Sequence, residues 1–250
     1  MYKYLSFVLC VFIFSCQNDQ EKPLDQNILS DYIELNSDLE SDFLIACAAG
    51  KEGGMHGVMS EPTAIYFYPV AGATDYRYYE TENVIDSIDF SQYKRVDLTL
   101  DPLFNGYLQR WNQESFEGER MSIVTYLTDG KLHISDPIRM KTNPKPTEVN
   151  PALVNIEVED STAHFEWQDG VIDENVIYFQ VISDDQGNLV SGTYTYDRSW
   201  TFYDTSNVVL NITTDPNPTL EAGKEYNFTM MAVSEDNWVN LLIQQSFLAE

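Results

Sequence analysis

Apolar side chains recur at every second position in several stretches of this 250-residue chain, and that period admits few folds. The alternation is clearest in residues 154–158 and 163–167, and it returns in residues 208–212. Because successive side chains of a β-strand point to opposite faces, such segments bury one face and expose the other. The sequence therefore predicts an all-β fold of antiparallel sheets packed face to face.

The first half of the chain carries aromatic and β-branched clusters of the same kind. Residues 64–68 and 76–79 flank a turn of small residues, which predicts a hairpin. Residues 119–126 and 132–142, joined through Asp-Gly, predict a second hairpin. Between these pairs, residues 102–112 carry apolar side chains at helical spacing, so we expect one short helix there.

A proline-rich segment separates the two halves. Pro144 and Pro146 lie in the run 143–147, which neither a helix nor a central strand tolerates. We therefore expect a first domain over residues 43–142, a linker over 143–148 and a second domain over 149–250.

The second half also carries a family signature. Leu220, Gly223 and Tyr226 resemble the E-to-F corner of fibronectin type III domains, in which a tyrosine hydroxyl ties the corner back to the backbone. Trp167 matches the core tryptophan, and the segment with Tyr68 resembles the B-to-C strands of the same family. The resemblance implies two tandem immunoglobulin-like, fibronectin type III-like β-sandwiches.

The first residues read as a targeting signal. A short basic start precedes an apolar run of about 11 residues, which suits a signal-peptide core and is too short to span a bilayer as a helix. The tetrapeptide that ends at Cys16 resembles the lipobox of bacterial lipoproteins. This resemblance implies a signal peptide over residues 1–15, lipid attachment at Cys16 and a flexible tether over residues 16–42.

The polar, acidic stretch after Cys16 resembles the surface-export signals of Bacteroidetes lipoproteins. It implies an outer-membrane protein that faces the cell surface, with the periplasmic face as the alternative. The partner is then the membrane, through the lipid anchor.

The net charge and the cysteine content limit which partners and which chemistry we expect. The formal net charge of -26 repels phosphate backbones, so nucleic acid is not an expected partner. The same charge suits basic proteins or divalent cations as partners, or it only keeps the protein soluble.

Cys47 lies in an apolar run that makes a thiol inert, so we expect it to be a small core residue. We find no catalytic, metal or cofactor motif and expect neither catalysis nor a cofactor.

Candidate ligand residues lie in the segment 234–240, where the family places its F-to-G loop. Trp238 could stack on a sugar or a partner side chain there, with Glu235 and Asp236 supplying oxygen atoms. The alternative is that this segment only covers the end of the core. Trp200 belongs to a second aromatic cluster, which alternation divides between the core and an exposed patch.

Two short patterns predict modification. Ser87 and Ser161 each follow an aspartate and precede an apolar residue or threonine, which resembles the O-glycan acceptor pattern of the Bacteroidetes.

Together these features predict a non-catalytic envelope lipoprotein that binds a polysaccharide or an envelope protein. The alternative is a structural spacer or assembly subunit with no small ligand of its own.

Overall fold

The computed structural model describes residues 23–50, 63–85, 87–114, 116–141, 145–160 and 162–250. Within these ranges about half of the residues lie in β-strands and few lie in helices, and sheets face one another in both halves. The all-β sandwich fold predicted from the sequence is confirmed.

The described part of the first half holds one α-helix and ten strands: α1 (Leu29–Leu35), β1 (Glu40–Leu44), β2 (Ala46–Gly50), β3 (Thr63–Phe67), β4 (Thr74–Glu80), β5 (Lys94–Val96), β6 (Leu100–Leu103), β7 (Leu108–Gln113), β8 (Arg120–Thr128), β9 (Lys131–Ser135) and β10 (Ile138–Met140). The second half holds nine strands: β11 (Glu148–Val149), β12 (Val154–Glu159), β13 (Thr162–Trp167), β14 (Ile177–Asp184), β15 (Leu189–Thr195), β16 (Ser199–Phe202), β17 (Val208–Asn211), β18 (Glu225–Val233) and β19 (Trp238–Leu248). Short 3-10 turns lie at Phe90–Gln92, Phe104–Gly106 and Pro151–Leu153.

Three sheets organise these strands. A six-stranded sheet has the order β1-β9-β8-β4-β5, with β10 paired to β8. A three-stranded sheet, β12-β13-β16, covers the second half. The largest sheet has ten strands in the order β17-β15-β14-β18-β19-β2-β3-β7-β6, with β11 beside β19. This ten-stranded sheet therefore runs through both halves.

The two halves join where β19 lies parallel to β2. Trp238 pairs with Ala48 and Val239 with Ala49, and the Ala48 N–H donates to the Asn237 carbonyl at 3.1 Å. Thr147 is buried beside this joint, where its hydroxyl accepts from the Gly50 N–H and donates to the Val239 carbonyl. A shared sheet thus connects the halves, in addition to the segment 143–148; the domain boundary itself stays a prediction.

Each half has its own apolar core. The first core lies between the six-stranded sheet and β2, β3 and β7, and it includes Phe67, Trp111 and Tyr126. The second core lies beneath the three-stranded sheet, where Phe165 stacks on Phe228 with ring centroids 4.3 Å apart. Burial alternates along β12 and β13 as the sequence predicts.

A third apolar layer, which we call the junction core, covers the other face of the ten-stranded sheet. It contains residues of both halves, with Tyr66 and Leu108 from the first and Phe179, Tyr194 and Met231 from the second. Across its rim, Asn105 hydrogen-bonds Asn188 and Tyr107 hydrogen-bonds Thr214. The two halves therefore share packed apolar surface as well as a sheet.

Two local predictions are wrong. Residues 102–112 form β6, a 3-10 turn and β7 in place of a helix, because Leu103, Phe104 and Leu108 pack into the junction core. Strands β3 and β4 do not pair as a hairpin, since they lie in different sheets. The hairpin predicted over 119–142 is confirmed, because β8 and β9 pair antiparallel.

The predicted tether over residues 16–42 is also too long. Leu29 and Tyr32 are buried, and α1 packs on the outer face of the six-stranded sheet against Tyr79 and Ile123. Apolar residues at positions i, i+3 and i+4 give this short helix one buried face. The folded body therefore begins near Asp25, whose carbonyl accepts from the Ile28 N–H.

Candidate functional site

A polar cleft of about 520 Å³ lies at the junction of the two halves. Three chain segments form it: the residue after β10, the approach to β14, and the turn between β18 and β19. The lining residues are Lys141, Glu174, Asn175, Val176, Ser234, Glu235 and Asp236. Two of the four predicted ligand residues, Glu235 and Asp236, therefore lie in one cleft.

The β18–β19 turn sets the positions of these two acids. The Ser234 N–H donates to the Trp238 carbonyl at 2.9 Å, and the Asn237 N–H donates to the Ser234 carbonyl at 3.0 Å. Asn237 has a φ of 60°, in the left-handed region that asparagine tolerates better than most residues. The turn leaves Glu235 exposed and directs Asp236 towards the first half.

Asp236 forms an ion pair across the junction. Its Oδ2 lies 2.5 Å from Lys141 Nζ, with side chains 31% and 9% exposed respectively. Burial alone would raise the pKa of Asp236, but hydrogen bonds from Lys141 and from the Ser234 hydroxyl outweigh it and lower the pKa. Asp236 is therefore a charged residue whose partner is already supplied by the protein.

The cleft keeps an excess of negative charge after this pairing. Among the described residues that line it, there are three carboxylates and the single ammonium group of Lys141. Glu174 lies 3.4 Å from Lys145 Nζ, a long contact between exposed side chains that is worth little in water. Glu235 has no ion-pair partner among the described residues, so its charge in the cleft is not neutralised by a neighbouring cation.

A hydrogen-bond network fixes the opposite wall. Asn240 is buried, and its Nδ2 donates to Asn175 Oδ1 at 3.0 Å. The Nδ2 of Asn175 donates in turn to Asp169 Oδ1 at 2.8 Å, and the Tyr178 hydroxyl donates to the same oxygen. Arg198 closes the network with a 2.5 Å contact to Asp169. These contacts position Asn175 in the wall of the cleft.

Trp238 does not lie in the cleft, and its predicted role as a stacking residue is wrong. The side chain is fully buried in the first core, although it belongs to the second half. Its Nε1 donates to the Lys145 carbonyl at 2.8 Å. Gly50 allows this position, because a Cβ there would lie 3.0 Å from the Trp238 ring. For Trp238, the alternative of covering the core is the better account.

Trp200 is likewise buried, in the second core. Its Nε1 donates to the Asp204 carbonyl at 2.8 Å, and its ring stacks beside Phe165. Neither predicted tryptophan presents a face to solvent. Alternation along β16 places Trp200 and Phe202 inward together, and the sequence alone did not decide which side was outward.

The modification sites are placed only in part. Cys16 and Ser161 lie outside the described residues. Ser87 lies half-buried in the turn before the first 3-10 turn, where its carbonyl accepts from the Tyr93 hydroxyl at 3.0 Å. Lipid attachment at Cys16 and glycan attachment at Ser87 and Ser161 stay predictions.

The predicted tyrosine corner is present. The Tyr226 hydroxyl accepts the Glu221 N–H at 3.0 Å, and the ring is buried. This bond closes the chain reversal between β17 and β18 in the way the sequence resemblance implies.

Sequence reasoning missed Lys141, Glu174 and Asn175. Each comes from a different part of the chain than the β18–β19 turn, and only the packing of the two halves brings them to it. No spacing in the sequence marks such a site.

None of the helices in the described residues is long and apolar enough to cross a bilayer. Within the same part of the chain, no three His, Cys, Asp or Glu side chains are arranged to hold a metal ion.

No protein-family model and no curated protein matches the chain. Among solved structures, it is similar to the FN1–FN3 domains of chicken CNTN1, with 12% identity over 85% of this chain and 68% of that chain, at a TM-score of 0.30. It is also similar to a segment of two fibronectin type III domains from chicken tenascin, with 12% identity over 85% of this chain and 100% of that chain, at a TM-score of 0.29. Similarities this low carry no argument about family or function.

Proposed function

We propose that this protein is a non-catalytic binding protein of the cell envelope, anchored by lipid at Cys16. In this proposal the junction cleft receives a positively charged group of a partner protein. The observation that carries it is the excess of carboxylates in a preformed cleft whose one ammonium group is already paired. Glu235 and Glu174 would hold the incoming cation by charge-assisted hydrogen bonds.

A protein partner suits the cleft better than a polysaccharide. Sugar sites commonly offer an aromatic face for the ring to stack on. The described residues that line the cleft include no aromatic side chain, and Trp238 is buried in the first core. Lysine or arginine side chains of a partner match both the size and the charge of the cleft.

The anchor and the location are carried by the sequence around Cys16. A diacylglycerol and a further acyl chain bury many methylenes at about 0.8 kcal/mol each, so attachment of this kind is effectively permanent. The protein would act at the outer membrane, facing the cell surface, with the periplasmic face as the alternative.

A structural spacer is the second candidate. In the first proposal the β18–β19 turn is a recognition loop. In the structure, however, Asp236 and Trp238 of this segment contact the first half and join the two halves. A body stiffened in this way suits a subunit that holds another component away from the membrane.

Binding of a short peptide to the soluble Cys16→Ser protein tests the proposal. The probe is a fluorescent Gly-Ser peptide that carries two lysines, followed by polarisation at physiological salt. Glu174→Gln with Glu235→Gln should weaken binding at least tenfold. The matched control, Glu157→Gln with Glu159→Gln, removes the same charge from the exposed edge of β12 and should leave binding unchanged.

Equal weakening in both variants would show unspecific attraction to a strongly acidic protein and would refute the cleft. Absence of saturable binding, even at low salt, would refute it in favour of the spacer.

A further inference from the structure

The outer face of the six-stranded sheet carries an additional layer, which we call the helix layer. It consists of α1 and the residues that pack with it, among them Leu29, Tyr32, Tyr93 and Leu132. Ile85 and Phe90, from the segment after β4, pack against the same cluster. The layer is thus formed by two segments that pack on the sheet, α1 and the segment between β4 and β5.

The chain enters the folded body at this layer and is held firmly there. Arg77 Nη1 donates to the Gln26 carbonyl at 3.2 Å, and the Tyr79 hydroxyl donates to the same oxygen at 3.1 Å. The Arg95 N–H donates to the Asn27 carbonyl at 2.8 Å. Arg77 also lies 4.0 Å above the ring of Tyr32, a cation–π contact that fixes α1.

Only eight residues lie between Cys16 and this entry point, Asp25. Even fully extended, such a segment spans roughly 30 Å. A body anchored at Cys16 therefore keeps the helix layer within about one bilayer thickness of the lipid.

The helix layer also exposes large apolar side chains. Ile88 is 74% exposed, Phe43 58% and Leu35 51%, and Leu24 lies directly before the entry point. Phe43 is on the outer side of β1, because its neighbour Leu44 is buried in the first core and its cross-strand partner Ile134 packs on the helix layer. Exposed apolar side chains grouped on one layer indicate a contact surface.

We propose that the helix layer is the face of the protein that rests on the lipid surface, a proposal that depends on the anchor at Cys16. The short connection brings the layer to the bilayer, and the exposed apolar side chains contact the interface. Carboxylates such as Asp31 and Glu34 border the layer, and anionic headgroups would repel them. The contact with lipid therefore depends on the apolar side chains and not on anionic lipid.

Depth-dependent quenching in vesicles tests this orientation. The lipidated protein is reconstituted in zwitterionic phosphatidylcholine vesicles that contain nitroxide lipid, with a fluorophore on Ile88→Cys or, as the control, on Val171→Cys. Val171 is 92% exposed and lies in the second half. The native Cys47 competes little for the label, because it is half-buried against the junction core and burial raises the pKa of its thiol to about 12.

Quenching at position 88 should be at least threefold stronger than at position 171. A Gly-Ser insertion of twenty residues between Lys22 and Pro23 should reduce quenching at position 88 at least twofold. Equal quenching at the two positions, with the protein still on the vesicles, would overturn the proposed orientation and leave the anchor intact. Failure of the lipidated protein to sediment with vesicles would instead refute the anchor itself.

Discussion

Replacing Trp238 with alanine should destabilise both halves together. Trp238 belongs to β19 of the second half, is fully buried, and fills part of the first core. A buried tryptophan truncated to alanine costs about 3–5 kcal/mol through lost burial and the cavity left behind. The Lys145 carbonyl also loses its donor at 2.8 Å, which adds about 1 kcal/mol.

Urea unfolding followed by circular dichroism measures this effect. The wild-type protein should unfold in one transition, because the ten-stranded sheet and the junction core cross both halves. Trp238→Ala should lower the free energy of unfolding by about 4–6 kcal/mol within a single transition. The matched control is Trp200→Ala, which removes an equally buried indole from the second core and should cost a similar amount.

Two results would contradict this reasoning. A loss of less than 1 kcal/mol would mean that Trp238 does not fill the first core. Two separate transitions, of which Trp238→Ala shifts only one, would mean that the halves unfold independently.

Three further changes have definite expected results. Asp236→Asn should lower the free energy of unfolding at pH 7 by about 2 kcal/mol, because Lys141 is left buried without its counter-charge. The pKa of Asp236 is lowered on folding, so its contribution to stability is complete above about pH 4 and is lost as the pH falls through the lowered pKa. Urea unfolding curves of variant and wild type should therefore converge below pH 4. A difference that stays constant with pH would refute the pairing. Tyr226→Phe should cost about 1 kcal/mol in the same assay, through the bond lost from the Glu221 N–H, and an unchanged midpoint would show that the corner contributes nothing. Cys47 should resist iodoacetamide at pH 8 in the native protein and react in urea, because burial raises the pKa of its thiol to about 12. Peptide mapping measures the modified fraction, and rapid labelling of the native protein would show an accessible thiol.

Periodicity predicted the second half well. The alternating residues of β12 and β13 bury one face, and the Tyr226 corner forms as the resemblance implies. These features depend on contacts within one strand or between close neighbours in the sequence. Local pattern is therefore enough to find them.

The first half was harder to predict because its apolar residues serve two cores. Residues such as Leu103 and Leu108 have helical spacing, yet they form strands that pack against the second half. The period of a short segment does not show which distant surface will cover it. The same limitation hid the burial of Trp238, since a residue in a predicted turn gives no sign that another half packs over it.

The candidate site was partly predictable for the same reason. Glu235 and Asp236 stood out because a turn between two strands is a common recognition position. Lys141 lies close to them in the fold but far away in the sequence. The ion pair between Lys141 and Asp236 therefore could not be predicted from the sequence.

The place of β19 in the ten-stranded sheet has a consequence for how the protein matures. The final strand of the chain supplies Trp238 to the core of the first half and pairs with β2 near its beginning. Contacts between such distant parts of a chain form slowly, because a very large loop must close first. The first core therefore cannot be completed before β19 has been synthesised and has paired with β2.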